Sequence, residues 1–274
     1  MKNDLLVLIL VLLCSTVNVE AARVDTVQVV SKSMNKAIPN LVVVPNTYNH
    51  QEAGFPVLYL LHGATGSYEY WLARVPAIKE YADNCNFIIV CPNGGYTSWY
   101  FDSPIDETMK YETYISEELV ESIDLKYNTI AQRKSRAITG ASMGGHGAFY
   151  LAFRNPSVWG AAGSMSGGLD IRPFPNNWDI AKRLGSYSEN KELWEQNTVT
   201  NLVHLIKGKD IKLIFDCGVD DFFYPVNKKM HQKLLEAKIL HTYIERPGKH
   251  NGKYWAETIK YQLLFFNEFF RLGE

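Results

Sequence analysis

The sequence has almost no excess of charge of either sign. Its 28 Lys and Arg residues nearly balance its 29 Asp and Glu residues, which leaves a formal net charge of −1 over 274 residues. Proteins that bind nucleic acid or an anionic membrane usually cluster Lys and Arg on one face. The balance therefore disfavours those partners and favours a small or neutral substrate. It leaves the oligomeric state open.

Cysteine is also scarce, with four residues in the chain. Cys14 lies in an apolar amino-terminal segment, and an odd set of three follows it, Cys85, Cys91 and Cys217. The expected order of strands separates Cys91 from Cys217 by about four spacings of ~4.8 Å, which is beyond disulfide reach. We therefore expect buried free thiols rather than a disulfide framework.

Long apolar runs are absent except over residues 5–13, which follow Lys2. This run is shorter than the roughly twenty residues that a transmembrane helix needs. Val19, Glu20 and Ala21 then form a small-residue cleavage site before Ala22. The pattern predicts a signal peptide over 1–21, with an uncleaved membrane anchor as the alternative. We expect a periplasmic or secreted protein with no stable membrane insertion after cleavage.

Two cofactor signatures are missing as well. The sequence contains neither the Lys-bearing loop that cradles phosphates nor a His-Glu-x-x-His zinc pattern. We therefore expect no metal and no organic cofactor. Internal repeats and low-complexity linkers are also lacking, so residues 22–274 are expected to form a single catalytic domain.

What the sequence does contain is an alternation of strand and helix patterns. Residues 24–31 and 37–44 are rich in Val and Thr and flank a turn at 33–36, which predicts an opening antiparallel hairpin. Continuous apolar runs at 55–61 and 87–91 predict parallel strands covered on both faces. Further strands are expected at 135–139, 161–165, 211–217 and 240–245.

Apolar residues recur every four positions in two further segments, which predicts helices that pack on the sheet. These residues are Tyr111, Ile115, Leu119 and Ile123, and then Trp255, Ile259 and Leu263. Alternating strands and helices predict an α/β fold with a doubly wound, mostly parallel sheet, in which ligands bind at the carboxyl ends of the strands. Residues 168–210 break the alternation. We interpret them as an insertion that shapes the pocket, or alternatively as helices that cover the edge of the sheet.

The segment 140–144 reads GASMG, a G-x-S-x-G pattern centred on Ser142. A chain of this length contains that pattern by chance about one time in ten. Here a predicted strand precedes it and a helical segment follows it, as in the nucleophile elbow of an α/β-hydrolase. We therefore predict Ser142 as a nucleophile, with a structural Gly-rich turn as the alternative. The amide of Met143, at the start of the helix, is a predicted oxyanion donor.

A serine hydroxyl needs a base that takes its proton, and that base needs an orienting acid. In this fold the acid and then the histidine follow the serine along the chain. Of seven histidines, His250 follows the last predicted strand and is the predicted base. Asp220 and Asp221 are both candidates for the acid, and Asp216, still inside a strand, is a weaker one.

The loop after the strand that ends at Leu61 should supply a second oxyanion donor. Gly63 allows the backbone to turn, so the amide of Ala64 can point inward beside that of Met143. Such a donor typically stabilises the transition state by ~3 kcal/mol.

Four segments together resemble the esterase D superfamily of α/β-hydrolases. They read VLYLLHG at 57–63, GASMGGHGA at 140–148, CGVDDF at 217–222 and PGKHN at 247–251. The superfamily includes feruloyl, acetyl-xylan and tributyrin esterases, S-formylglutathione hydrolases and mycolyltransferases. The resemblance spans nearly the whole mature chain and selects Asp221 over Asp220 as the acid.

The resemblance also implies a substrate pocket and an activity. Trp99, Tyr100 and Asp102 resemble pocket-lining residues of the carbohydrate esterases, with packing beneath the site as the alternative. The implied activity is a secreted serine esterase that acts through an acyl-enzyme on acetyl or feruloyl esters of plant polysaccharide. A general short-chain esterase or a sugar acyltransferase is one alternative hypothesis, and a non-catalytic glycan-binding relative is another.

Overall fold

The computed structural model describes residues 21–50 and 52–272. The predicted signal peptide over 1–21 lies outside these residues apart from Ala21. Among the described helices, none is both long and apolar enough to cross a bilayer.

Eight strands form one sheet in the order β1-β2-β4-β3-β5-β6-β7-β8. Strands β1 and β2 pair antiparallel, as do β2 and β4, and every later pairing is parallel. This arrangement confirms the predicted α/β-hydrolase fold, a doubly wound, mostly parallel sheet with an opening antiparallel hairpin. The strands are β1 (Arg23–Ser31), β2 (Lys36–Val44), β3 (Val57–Leu61), β4 (Ile88–Pro92), β5 (Arg136–Gly140), β6 (Ala161–Met165), β7 (Lys212–Gly218) and β8 (Thr242–Arg246).

Helices cover both faces of the sheet, and β3 shows why its run of residues is apolar throughout. Tyr59 and Leu61 point into one core layer and Leu58 and Leu60 into the other, because successive side chains of a strand alternate between faces. The helices are α1 (Tyr70–Arg74), α2 (Ile78–Cys85), α3 (Tyr111–Thr113), α4 (Val120–Lys126), α5 (Met143–Arg154), α6 (Ile180–Leu184), α7 (Lys191–Gln196), α8 (Tyr224–Glu236) and α9 (Gly252–Leu272).

The predicted helix around residue 115 contains an irregular turn. A π-helical segment, Tyr114–Leu119, joins α3 to α4. Ile115 and Leu119 are both fully buried, as the apolar pattern predicts. The pattern gave no indication of the π turn, because a spacing of four residues also fits a regular α-helix.

Two of the cysteines lie where the expected sheet order places them. Cys91 is on β4 and Cys217 is on β7, and β3, β5 and β6 lie between those strands. Both are buried free thiols, and Cys85 is a partly buried one.

The segment 168–210 folds into α6, α7 and two short 3-10 turns, Val199–Asn201 and Val203–Ile206. Its turns pack on α5 rather than along a sheet edge. Trp194 is fully buried, and its indole N–H donates to the carbonyl of Gly185 at 3.0 Å. Trp178 is the aromatic residue of this segment that reaches the cleft beside Ser142.

Candidate active site

Ser142 sits in the sharp turn between β5 and α5. Its backbone has φ +60° and ψ −118°, a conformation that a residue with a Cβ adopts only where its surroundings enforce it. The amide of Ser142 donates to the carbonyl of Met165 on β6 at 2.9 Å, and the amide of Gly144 donates to Ala141 at 2.8 Å. These bonds hold the turn that exposes the serine hydroxyl at the carboxyl end of the sheet.

The two glycines of the G-x-S-x-G pattern are required by close contacts. A Cβ on Gly140 would lie 2.7 Å from the Cβ of Leu61. A Cβ on Gly144 would lie 2.6 Å from the carbonyl oxygen of Leu61 and 2.7 Å from that of His62. The elbow can therefore approach β3 this closely only with glycine at both positions.

Ser142, His250 and Asp221 form a continuous hydrogen-bonded chain. The Nε2 atom of His250 lies 2.9 Å from Oγ of Ser142, and its Nδ1 lies 3.0 and 2.9 Å from the two carboxylate oxygens of Asp221. Asp221 also accepts the amide N–H of Phe223 at 2.8 Å, and its side chain is fully buried. This is the geometry of a nucleophile, a base and an orienting acid.

Backbone hydrogen bonds join the loops after β7 and β8, which brings Asp221 to His250. The amide of Val219 donates to Arg246 at 2.9 Å and that of Asp220 donates to Gly248 at 3.0 Å. A Cβ on Gly218 would lie 2.4 Å from the Gly248 carbonyl oxygen, so glycine is needed for the two loops to touch.

The other two candidate acids lie elsewhere. Asp220 is exposed. Asp216 is buried within β7, where it accepts a hydrogen bond from Gln262 at 3.0 Å. The structure therefore brings Asp221 alone of the three into contact with His250.

Two backbone amides are available to an oxyanion beside Ser142. Met143 is the first residue of α5, where helix N–H groups have no intrahelical acceptor. Ala64 follows Gly63, and a Cβ on Gly63 would lie 3.8 Å from Oγ of Ser142. Within residues 21–50 and 52–272, neither the Ala64 nor the Met143 amide donates a hydrogen bond. Both predicted donors therefore lie near the serine with their N–H groups free.

Two further histidines close to Ser142 are structural. Burial lowers the pKa of His62 to about 4 and that of His146 to about 3, so both rings are neutral near pH 7. His146 packs against Trp99 and Phe101 and stacks on Tyr150. Neither ring reaches the serine hydroxyl, which is bonded to His250.

An open cleft of about 510 Å³ lies over the serine. Its walls are mainly aromatic and also include Arg74 and Thr65, and Phe222 stacks on Trp178 with ring centroids 5.5 Å apart. Phe222 also packs on His250 at 4.2 Å, and Trp255 packs edge-on against the same ring at 5.0 Å. The lining residues are Gly63, Ala64, Thr65, Gly66, Tyr70, Arg74, Ser142, Trp178, Phe222, His250 and Trp255.

The three residues expected to line the pocket do not contribute side chains to this cleft. Trp99 and Tyr100 are 1% and 0% exposed, because the chain turns back beneath the site. Their polar atoms bond to the protein: Trp99 donates to the Trp178 carbonyl and Tyr100 to the His62 carbonyl, each at 3.0 Å. Both residues therefore pack beneath the site, in agreement with the alternative interpretation of their sequence.

Asp102 also has a structural environment. Its carboxylate accepts the amide of Thr113 at 3.0 Å and the Thr113 hydroxyl at 2.6 Å. It borders a separate cavity with Glu112 and Arg154, which does not include Ser142. Asp102 is therefore not among the residues that line the cleft beside Ser142.

Sequence reasoning missed three aromatic residues that line the cleft, Tyr70, Phe222 and Trp255, whereas Trp178 belongs to the segment 168–210 that was expected to shape the pocket. One signal was available for Phe222, which directly follows the predicted acid in the CGVDDF segment. Within the described residues, no group of three or more His, Cys, Asp or Glu side chains is arranged to hold a metal ion.

A family model described as "Putative esterase" matches residues 31–266. Among curated proteins, an esterase of Mycobacterium tuberculosis (Esterase Rv1288) is 28% identical over 235 residues, which are 76% of this chain and 51% of that protein. The chain thus spans about half the length of that relative. An acetyl esterase of Caldicellulosiruptor saccharolyticus is 25% identical over 214 residues, 74% of this chain and 79% of that one.

Solved structures show the same fold. A ferulic acid esterase superposes with a TM-score of 0.78 at 28% identity, over 91% of this chain and 99% of that one. An S-formylglutathione hydrolase from Staphylococcus aureus superposes with a TM-score of 0.79 at 18% identity, over 90% of this chain and 100% of that one. At that identity the second likeness concerns the fold alone.

Proposed function

Because the chain belongs to this esterase family, we propose that it hydrolyses carboxylic esters through a covalent acyl-enzyme on Ser142. The observation that carries the proposal is the hydrogen-bonded chain from Ser142 through His250 to Asp221. A serine hydroxyl is a poor nucleophile near neutral pH, and this chain supplies the base and the orienting group that activate it.

In the acylation step, Oγ of Ser142 attacks the ester carbonyl while Nε2 of His250 takes the hydroxyl proton. Asp221 holds the imidazole through Nδ1 and stabilises the positive charge that develops on it. The carbonyl oxygen becomes an oxyanion, which the free amides of Ala64 and Met143 stabilise. His250 then gives its proton to the departing alcohol.

In the deacylation step, a water molecule replaces the alcohol. His250 takes a proton from that water, which attacks the acyl carbonyl, and then returns the proton to Ser142 as the acid leaves. The cleft is open to solvent, so water can reach the acyl-enzyme.

We propose esters on plant polysaccharide as the substrate class, with an acetyl or feruloyl acyl group. The aromatic walls of the cleft support this, because Trp and Phe rings stack on sugar rings and on phenolic groups. The ferulic acid esterase and the acetyl esterase to which the chain is similar support the same class. The apolar pattern before residue 22 supports export from the cytoplasm.

The test compares the wild-type protein with Ser142→Ala on acetylated xylan, methyl ferulate and methyl butyrate. We expect Ser142-dependent hydrolysis, with either polysaccharide-type ester cleaved faster than the butyrate. A faster butyrate reaction would favour a general short-chain esterase, and capture of the acyl group by an added sugar would favour a transferase.

A fluorophosphonate probe tests the nucleophile separately. We expect it to label the wild-type protein and to leave Ser142→Ala unlabelled. A wild-type protein that binds xylan but neither labels nor hydrolyses would instead be a non-catalytic glycan-binding relative.

A further inference from the structure

Two consecutive bulky residues beneath the active site have left-handed backbones. Trp99 has φ +55° and Tyr100 has φ +61°, and both side chains are buried. This region is unfavourable for residues with a Cβ, and a large ring makes it rarer still. Such strain persists where the surroundings enforce it and is concentrated at functional sites.

The strained turn places the ring of Tyr100 between Gly94 and Gly147, where the absence of a Cβ leaves room for it. A Cβ on either Gly94 or Gly147 would lie 2.2 Å from an atom of that ring. The hydroxyl of Ser98 accepts the amide of Tyr100 at 2.9 Å and donates to the carbonyl of Gly94. The ring is therefore fixed from both sides, and burial raises the pKa of the Tyr100 hydroxyl well above its usual value, so it remains a donor.

That hydroxyl is directed at the loop that carries the proposed oxyanion donor. It donates to the carbonyl of His62 at 3.0 Å. The ring of His62 accepts the amide of Gly94 at Nε2, 2.9 Å away, so its proton lies on Nδ1 and is donated to the carbonyl of Gly63 at 2.8 Å. The amide of Thr65 donates to Tyr96 at 2.7 Å.

These contacts determine the direction of one N–H group. The Ala64 N–H and the Gly63 carbonyl belong to the same peptide unit, and in a planar trans peptide they point in opposite directions. Fixing the Gly63 carbonyl against His62 therefore aims the Ala64 N–H away from His62. The peptide groups on either side are held by Tyr100 and by Tyr96.

We propose that Tyr100 is a positioning residue for the oxyanion hole, acting through His62 on the peptide that carries the Ala64 amide. This inference rests on the proposed esterase function. Tyr100 itself touches no substrate, since its side chain is fully buried.

Tyr100→Phe tests the inference, because it removes the hydroxyl and keeps the ring. Removing an oxyanion donor outright costs about 10²–10³ in kcat, and a misdirected donor should cost about tenfold. We expect that loss in kcat on p-nitrophenyl acetate with KM changed less than about twofold. A boronic acid forms a tetrahedral adduct on Ser142 that places one oxygen in the oxyanion hole. The inhibition constant of a boronic acid should therefore rise by the same factor as kcat/KM falls.

Tyr114→Phe is the matched control. Tyr114 is also fully buried, and its hydroxyl bonds to Asn40 on β2, outside the cleft. Both variants should lower Tm, and only Tyr100→Phe should lower kcat. Ser98→Ala loosens the same turn with the Tyr100 ring intact, and it should lower kcat in the same direction if Tyr100→Phe does not fold.

The outcomes separate the inference from the function. An active wild-type enzyme whose Tyr100→Phe and Ser98→Ala variants retain wild-type kcat would overturn the inference and leave the esterase proposal intact. A wild-type protein with no Ser142-dependent hydrolysis and no fluorophosphonate labelling would overturn both.

Discussion

The Nδ1 atom of His250 lies 2.9 Å from a carboxylate oxygen of Asp221 whose side chain is fully buried. A buried carboxylate that accepts hydrogen bonds from an imidazole and from a backbone amide is held in one orientation. It therefore fixes which nitrogen of the imidazole faces Ser142. The neighbouring Asp220 is exposed and contributes only its backbone to this part of the site.

Asp221→Asn should lower kcat by about four orders of magnitude, because an amide at this position favours the wrong tautomer of the base. Asp220→Asn is the matched control, one residue away and exposed, and should change kcat less than about twofold. The measurement is kcat on p-nitrophenyl acetate for both variants. Equal losses in the two variants would contradict the assignment of Asp221 as the acid.

The elbow around Ser142 was predictable because its determinants are local. The strand before it, the glycines at 140 and 144 and the helix after it are contiguous, and each leaves a mark in the sequence. The positions of His250 and its acid followed from the order of strands. Physical reasoning on the residues left Asp220 and Asp221 open, since both follow the same strand and only the packing of the loop distinguishes them.

The walls of the cleft were not predictable in the same way. Trp178, Phe222 and Trp255 come from three distant segments and meet only after folding. The expectation that Trp99 and Tyr100 line the pocket rests on the resemblance of their segment, which follows the strand ending at Cys91, to pocket-lining segments of carbohydrate esterases. Their burial depends on two left-handed backbones, and no local pattern predicts a positive φ at a tryptophan or a tyrosine.

Phe222→Ala should weaken binding of aromatic acyl esters. Phe222 is 48% exposed although its ring packs on Trp178 and His250, so part of the ring is open to the cleft. An aromatic pair contributes about 0.5–1.5 kcal/mol beyond its buried area, which predicts a KM for methyl ferulate raised by about 2- to 10-fold. Initial rates on methyl ferulate and on p-nitrophenyl acetate measure this.

The acetyl ester has no ring to stack, so its KM should change less in the same variant. Tyr261→Ala is the control, a 47% exposed aromatic on α9 outside the cleft, and should leave both KM values unchanged. If Phe222→Ala raised both KM values equally, the ring would be shaping the site as a whole rather than contacting the acyl group.

Gly144→Ala should disrupt the elbow. Its Cβ would lie 2.6 Å from the carbonyl oxygen of Leu61 and 2.7 Å from that of His62, and because these are backbone atoms they cannot rotate away as a side chain could. Overpacking of this kind costs about 1–3 kcal/mol, and any movement of the elbow also displaces Ser142. We expect a lower free energy of unfolding in urea and at least a tenfold loss of kcat.

Gly252→Ala is its control, because the nearest atom to its Cβ is the Tyr70 hydroxyl at 3.5 Å, an ordinary contact. It should leave stability within about 0.5 kcal/mol of wild type. A Gly144→Ala enzyme as stable and as active as Gly252→Ala would show that the elbow can move away from β3 at little cost.

Asp216→Asn should change how stability depends on pH. Burial raises the pKa of Asp216 from 3.8 to about 7, even though Gln262 donates a hydrogen bond to it and Arg246 lies nearby. Between these two pKa values the folded state holds a proton that the unfolded state has released. The wild-type protein therefore gains stability from this group at low pH and loses it as pH rises through about 7.

The asparagine variant lacks this titration, so the comparison isolates it. The free energy of unfolding of Asp216→Asn minus that of wild type should rise by about 1.4 kcal/mol per pH unit between pH 5 and about 7. Above that pH the difference should be constant. Urea unfolding at pH 5, 6, 7 and 8 measures the difference.

Asp210→Asn is the control. The side chain of Asp210 is 80% exposed and Lys212 lowers its pKa, so it stays ionised throughout this range. The difference in free energy of unfolding between Asp210→Asn and wild type should therefore not change with pH. A flat difference for Asp216→Asn would mean that the carboxyl is already ionised in the folded protein at pH 5, and that Arg246 and the hydrogen bond from Gln262 outweigh its burial.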